Sequence, residues 1–103
     1  MNDFELFRNR SNSKKEFEFL LNVQSNLLQD LTSRLVIPVI KKNLLNSSVK
    51  ILNPEITIED TQYILLTQQM AAVPKEILGE SIKSVSINRT EILSAIDFLI
   101  TGF

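Results

Sequence analysis

Apolar residues alternate with a period of two along most of this chain and change to a helical period only near its end. A period of two is typical of a β-strand with one buried face. The segment FEFLLNVQS, residues 17–25, shows it most clearly, and one of its sides is formed by Phe17, Phe19, Leu21 and Val23. The shorter FELFR, residues 4–8, predicts a second strand, and the polar residues between the two segments predict a hairpin-like loop.

Further apolar segments predict more strands. RLVIPVI, residues 34–40, is almost unbroken, so we expect both of its faces to be buried. Pro38 cannot donate a ladder hydrogen bond, and we expect it at an edge, a bend or a bulge. Residues 55–60 alternate, and residues 62–70 are rich in strand formers. In the segment AAVPKEILGE that follows, bends are expected at Pro74 and Gly79.

The last element has the period of an α-helix. Asn88 and Glu91 predict a capping box, in which the Asn88 side chain accepts a backbone N–H and Glu91 reaches back to the N–H of Asn88. Ile87 and Ile92 have the spacing of a hydrophobic staple. Gly102 stands where helices commonly end. An apolar stripe at helical intervals comprises Ile92, Ile96, Leu99 and Ile100.

Several short strands followed by one helix predict a single α+β or barrel-like domain over residues 1–103. A domain of this size buries only about two-thirds of its unfolded surface, so a partner or second subunit is expected to add stability. The expected core residues are Phe17, Phe19, Leu21, Val23, Leu35, Ile37, Leu65 and Ile96.

The composition removes most catalytic chemistry. The chain has no histidine and no cysteine, so the commonest general base and the usual zinc ligands are missing. Its two glycines are too few for a phosphate-binding loop or a nucleophile elbow. Of two carboxylate pairs, Glu59 with Asp60 is expected in the turn between two strands, and Glu76 with Glu80 is expected to be solvated; a catalytic role is not expected for either. We therefore expect no cofactor and no metal.

A cytoplasmic location is expected. The first fifteen residues lack the apolar core of a secretory signal. The last apolar segment is shorter than the roughly 20 residues that span a bilayer, and Asp97 interrupts it. The absence of cysteine fits a reducing compartment. A net charge of -1 gives no overall attraction to nucleic acid or to an anionic membrane.

Charge is nevertheless uneven along the chain. RNRSNSKK, residues 8–15, contains four cations and no acid, and no acidic residue occurs between Leu31 and Pro54. Each region is either a solvated loop or a surface for an acidic partner. From the residues alone two functions remain open: a protein that wedges an apolar tip into a macromolecular target, and a histidine-free ribonuclease whose Arg34 holds phosphates.

Three blocks of the chain resemble the CcdB family of gyrase-poisoning toxins from plasmid and chromosomal toxin–antitoxin modules. They are NVQSNLLQDLTSRLVIPV (residues 22–39), YILLTQQMAAVPKEILGE (63–80) and NRTEILSAIDFLITGF (88–103), in the family's order. The resemblance implies a mainly β fold: an antiparallel sheet of SH3-like barrel type, a small accessory sheet and a closing C-terminal helix, assembled as a two-fold homodimer. It also implies a non-enzymatic toxin that binds the A subunit of DNA gyrase, traps the cleaved DNA complex and is neutralised by a CcdA-like antitoxin.

The resemblance also assigns site residues. Gyrase-binding residues would lie at the helix end and in one loop: Asp97, Ile100, Thr101, Gly102 and Phe103, with Ser25, Asn26, Leu27 and Leu28. Antitoxin binding is assigned to the basic loop, through Arg8, Arg10, Lys14 and Lys15. Familiar members end in tryptophan, glycine and isoleucine, so Thr101 replaces a large aromatic anchor. The resemblance leaves two alternatives on the same fold, a MazF-like endoribonuclease and an inactive homologue that only dimerises.

Overall fold

The computed structural model describes residues 4–25, 28, 30–82 and 87–102. In these ranges the chain forms seven β-strands followed by one α-helix. The strands are β1 (Glu5–Asn9), β2 (Phe19–Asn22), β3 (Ser33–Lys41), β4 (Glu55–Ile58), β5 (Thr61–Leu65), β6 (Ala71–Pro74) and β7 (Leu78–Ile82), and the helix is α1 (Arg89–Thr101). Short 3-10 turns follow β3, β5 and β6.

The seven strands in the described part of the chain make one antiparallel sheet. Its order is β4-β5-β3-β2-β1-β7, and β6 pairs with the free stretch of β3. The expected class, mainly β with a C-terminal helix, is confirmed. The sheet is open rather than closed into a barrel, and β6 belongs to the same sheet instead of forming a separate accessory one.

Pro38 lies in a central strand, at the point where β3 changes partner. One edge of β3 pairs with β2, while the other pairs with β6 over residues 33–36 and with β5 over residues 39–41. The Pro38 carbonyl accepts the N–H of Leu66 at 2.9 Å on this second edge. Because the N and O of a strand residue face the same edge, the missing N–H of Pro38 falls between the two ladders. The break in pairing tolerates the proline without an edge strand.

The main core lies between one sheet face and α1. Ile92 and Ala95 are the buried residues of the helix. Four expected core residues are fully buried: Phe19, Leu21, Ile37 and Leu65. Val23 and Ile96 pack against this core from partly buried positions, and Leu35 is half-buried.

Phe17 does not join the main core. It packs with Leu45 against a second, smaller cluster of Ile40, Ile64 and Leu66. The alternation predicted a strand from residue 17, but the N–H of Phe17 donates to the Ser13 carbonyl at 2.8 Å and closes a turn. Because β2 begins only at Phe19, the period of two does not extend to Phe17.

The hairpin between β4 and β5 turns on Glu59 and Asp60. Both residues have positive φ, 49° and 69°, and no glycine is present at either position. A two-residue hairpin with two positive φ values is a type I′ turn, which normally selects asparagine and glycine. The expected turn is confirmed. Its left-handed backbone conformation is unfavourable for residues with a side chain, such as Glu59 and Asp60.

The start of α1 follows the predicted capping box with one difference. The Asn88 side chain accepts the backbone N–H of Glu91 at 3.1 Å. The Glu91 carboxylate accepts from the side-chain amide of Asn88 at 3.3 Å, rather than from its backbone N–H. Ile87 packs against the cluster that contains Ile92, as a hydrophobic staple requires.

Candidate functional site

The apolar stripe of α1 is core in its first half and surface in its second. Ile92 is 1% exposed, whereas Leu99 is 38% and Ile100 is 70% exposed. A singly exposed leucine needs no explanation, but two large aliphatic residues at a helix end form a surface that is available for binding. The sequence pattern placed all four stripe residues on one face and did not show where burial stops.

Gly102 ends the helix in the left-handed conformation. Its φ is 79°, and its N–H donates to the Phe98 carbonyl at 2.8 Å. A Cβ at this position would meet nothing within 4 Å, so the glycine serves the backbone conformation rather than tight packing. The predicted helix stop is confirmed.

The polar residues of this end are exposed. Thr101 donates its hydroxyl to the Asp97 carbonyl at 2.7 Å, so it is bound to its own helix. Asp97 itself is exposed. Phe103, which the resemblance assigned to the same site, lies outside the described residues.

The loop between β2 and β3 is held by Gln24, a residue that was not among the predicted site residues. The Gln24 amide donates to the carbonyls of Leu28 (3.1 Å) and Ser33 (3.3 Å). Its oxygen accepts the N–H of Leu35 at 3.1 Å. One side chain thereby joins the two ends of the loop, and a glutamine directly after an alternating strand is the only signal that the sequence offered.

This loop presents two exposed aliphatic residues, Leu28 and Leu31, each 49% exposed. Ser25 is also exposed, and its carbonyl accepts the N–H of Leu28 at 3.0 Å. The neighbouring site residues Asn26 and Leu27 lie outside the described residues. The hydrogen bonds of Gln24 stay within this loop, and that of Thr101 stays within α1. That the loop and the helix end form a single surface therefore stays a prediction.

The basic loop is an ordered turn built on Asn9, a polar residue that is buried at the end of β1. The Asn9 amide donates to the Ser13 hydroxyl (3.0 Å) and the Phe17 carbonyl (2.8 Å), and its oxygen accepts the N–H of Ser11 (2.9 Å). Lys14 is exposed on this turn, as is Lys15. The cations are therefore displayed on a fixed backbone, which lowers the entropy lost when a partner binds.

The two arginines at this loop contact β7 or the strand beside them. Arg8 pairs with Glu80 at 3.3 Å and lies over the Phe19 ring, 5.5 Å from its centroid. Arg10 packs on Gly79, where a Cβ would come within 2.8 Å of its Cγ. Gly79 lies inside β7, where the register against β1 shifts between Phe7 and Asn9, so the expected irregularity falls within the strand and does not end it. The glycine also makes room for Arg10. Pro74 does end β6 at a 3-10 turn, as expected.

Tyr63 connects this region to the core. Its hydroxyl donates to the Glu18 carboxylate at 3.1 Å, and its ring meets Phe19 edge-on with centroids 5.2 Å apart. Burial, and then the hydrogen bond to Glu18, raise the pKa of Tyr63 to about 12. The tyrosine is therefore neutral at physiological pH and acts as a structural donor.

The described residues contain no group of three or more acidic side chains placed to hold a metal ion. Within the same ranges, no helix has the length and apolarity needed to cross a bilayer. The structure therefore offers three surfaces for binding. They are the apolar end of α1, the ordered basic turn, and the loop between β2 and β3, which Gln24 holds and which is here called the latched loop.

The comparison with known protein families first gives the class: the chain is a toxin of a toxin–antitoxin system. The matching family model is described as CcdB protein and covers residues 3–102, and the chain belongs to the CcdB family. The resemblance seen in the sequence is confirmed. Family membership implies an antitoxin partner in general terms.

Proposed function

We propose that this toxin binds the A subunit of DNA gyrase and traps the enzyme on cleaved DNA, by surface complementarity and without catalysing a reaction. The observation that carries the proposal is the exposed aliphatic end of α1 in a member of the CcdB family. Small domains bury helix stripes where they can, so a stripe that leaves the core is available for a partner.

The gyrase-binding surface in this proposal has two parts. Ile100 supplies the largest exposed aliphatic side chain of the described helix end, and Leu28 supplies apolar surface in the latched loop. Covering the exposed part of one such side chain contributes about 1–2 kcal/mol. The complete set is Asp97, Ile100, Thr101, Gly102 and Phe103 with Ser25, Asn26, Leu27 and Leu28.

The active form in this proposal is a homodimer. A two-fold axis places two copies of one patch on the same assembly, so a short apolar helix end becomes a composite surface. This doubling compensates for the absence of a tryptophan at Thr101, whose hydroxyl is bonded within the helix. The exposed aliphatic side chains of Leu99 and Ile100 supply the apolar contact area in place of an aromatic anchor.

Neutralisation is assigned to a CcdA-like antitoxin with a disordered acidic segment. Such a segment loses conformational entropy when it folds on the toxin, and a preordered basic turn limits the additional loss on the toxin's side. The assigned cations are Arg8, Arg10, Lys14 and Lys15. Among the described residues, Arg10, Lys14 and Lys15 form no ion pair, and their charge is available to carboxylates.

The test incubates purified toxin with gyrase, ATP and supercoiled DNA, and in parallel with cellular RNA. Stabilised double-strand breaks are expected with the wild type and are expected to disappear with Ile100→Asp. Leu93→Asp is the matched control, because Leu93 is 42% exposed on the same helix and is not assigned to the site. Both variants should keep the wild-type circular dichroism spectrum.

Three results contradict the proposal. Sequence-specific RNA fragments without DNA breaks indicate a MazF-like endoribonuclease. Neither product, together with a stable dimer, indicates an inactive homologue. Equal loss of DNA breaks with Ile100→Asp and Leu93→Asp shows that the helix end has no special role.

A further inference from the structure

The segment that links β3 to β4 has a composition that the proposed gyrase site does not use. No acid occurs between Asp30 and Glu55, and this interval contains Arg34 and three lysines. Within it, residues 42–52, here called the strap, expose three large aliphatic side chains. They are Leu44 (56% exposed), Val49 (52%) and Ile51 (51%).

Hydrogen bonds and packing contacts fix the backbone of the strap, so its aliphatic side chains stay exposed. Asn53 is buried; its oxygen accepts the N–H of Val49 at 3.0 Å, and its own N–H donates to the Val49 carbonyl at 2.7 Å. The Asn53 amide also donates to the Leu65 carbonyl at 3.0 Å, which fixes the strap to β5. Leu45 packs inward against the second cluster. Val49 and its neighbours are thus presented outward by a fixed backbone.

The strap forms one wall of a groove of about 550 Å³, and α1 forms the other. Lys50 and Ile51 line the strap side, and Thr90 and Ser94 lie on the helix side. An adjoining depression of about 500 Å³ is also lined by Lys50 and extends to Glu55. Lys50 and Glu91 line both depressions, and Ile51 is the aliphatic residue that lines the larger one, so together they form an elongated site with a shared cation, a shared carboxylate and an apolar contact.

The charges of this groove leave Lys50 available. Glu55 pairs with Lys42 at 3.0 Å, and the Glu91 carboxylate accepts from the Asn88 amide at 3.3 Å. In the described part of the chain, Lys50 forms no ion pair. A ligand that fits therefore brings a carboxylate to Lys50, keeps that carboxylate away from Glu91, and brings an apolar side chain to Ile51.

The strap is continuous with the basic loop. Phe17 lies two residues after Lys15, beyond the exposed Glu16, and Leu45 lies in the strap; both pack against the same cluster of Ile40, Ile64 and Leu66. A chain that binds Lys14 and Lys15 can therefore continue across this cluster to the strap.

We propose that the strap is a second docking site for the antitoxin, occupied by a segment that pairs an acidic side chain with an aliphatic or aromatic one. This inference rests on the proposed antitoxin partnership and adds a site to it. Lys50 binds the carboxylate, and Ile51 covers the apolar side chain. This footprint contains none of the residues assigned to gyrase.

The experiment measures binding of the fluorescein-labelled antitoxin encoded by the reading frame beside this gene, with full-length toxin variants. Lys50→Glu is expected to weaken binding about tenfold through charge reversal. Ile51→Ser is expected to weaken it about fivefold, since about half of an isoleucine side chain loses its cover in the complex. Gyrase inhibition should be unchanged in both variants.

Two matched controls lie elsewhere on the surface. Lys75→Glu makes the same charge change at an exposed lysine in the 3-10 turn after β6. Leu31→Ser makes the same kind of change at a leucine that is 49% exposed. Both controls should change antitoxin affinity less than about twofold, and all four variants should keep the wild-type melting temperature.

Each contrary outcome has a separate meaning. Unchanged antitoxin affinity in Lys50→Glu and Ile51→Ser overturns the strap site while the proposed function stands. Loss of dimer in sedimentation velocity with either variant also overturns it, because the strap would then be a self-association surface. If the wild type binds no antitoxin, both the strap site and the proposed antitoxin partnership are overturned. If the wild type binds the antitoxin but does not inhibit gyrase, only the proposed target is overturned.

Discussion

The division of α1 into a buried and an exposed half can be measured with one pair of substitutions. Ile92→Ala and Ile100→Ala remove the same atoms from the same helix, at positions that are 1% and 70% exposed. At Ile92 the lost burial and the remaining cavity are expected to lower the free energy of unfolding by about 2–5 kcal/mol.

At Ile100 the substitution is expected to be almost neutral. About a third of the side chain is covered, which contributes roughly 0.5–1 kcal/mol. Alanine recovers up to about 0.5 kcal/mol through its higher helix propensity. The net change should be within about 0.5 kcal/mol, while gyrase inhibition falls strongly.

Urea unfolding followed by far-ultraviolet circular dichroism checks both values. With a slope of about 1–3 kcal/mol per molar urea, Ile92→Ala should lower the midpoint by roughly 1–3 M and Ile100→Ala by less than about 0.5 M. The measurement should be made at two protein concentrations, because a dimer stabilises itself by mass action. A large loss of stability with Ile100→Ala would show that the helix end is core, and the binding surface would have to lie elsewhere.

Three further predictions concern stability. Asp60→Gly should raise the free energy of unfolding by about 0.5–1 kcal/mol, because glycine relieves the φ of 69° and gives back part of the gain through a freer unfolded chain; an unchanged urea midpoint would contradict this. Thr67→Val should stabilise by about 1 kcal/mol in the same assay, since the Thr67 hydroxyl is buried with no partner among the described residues; a destabilised variant would mean that the hydroxyl has a partner. Tyr63 has a pKa near 12 in the folded protein and 10.0 as a free side chain, so its stabilising effect is complete below pH 10 and is lost as pH rises from 10 to 12. The loss should be about 1–2 kcal/mol after solvent screening, and the difference between wild type and Tyr63→Phe should show this step.

Local signals predicted the parts of the fold that local chemistry determines. The Asn88 cap and the Gly102 stop were correct because each depends on backbone groups within one turn of helix. The strand pattern of β4 was correct because alternation records one buried face.

The failures share a different cause, since they depend on neighbours that are distant in sequence. Pro38 lies in a central strand because two separate strands share its outer edge. Gly79 lies at a register shift within β7, where Arg10 occupies the space that a side chain would fill. Phe17 lies outside the main core because the turn that its N–H closes with the Ser13 carbonyl delays the start of β2 to Phe19.

The candidate site followed the same rule. The sequence and the resemblance indicated residues of the helix end, but only the fold shows that Ile100 is outside the core and that Ile92 is inside it. The parts that hold each loop, Gln24 and Asn9, were not recognised, because an amide that bonds three backbone or side-chain groups looks like any polar residue in a sequence.

The pairing of β1 with β7 has a consequence for the moment at which this toxin becomes dangerous to its cell. Arg8 and Glu80 meet across that pairing, although they are 72 positions apart in sequence. A ribosome that adds about 5–20 residues per second needs roughly 4–14 s to synthesise the chain between them. During that interval the first strand lacks one neighbour and the closing helix has not been made, so the proposed target-binding surface does not yet exist. An antitoxin that is already present is therefore expected to have several seconds in which to bind before the proposed target can.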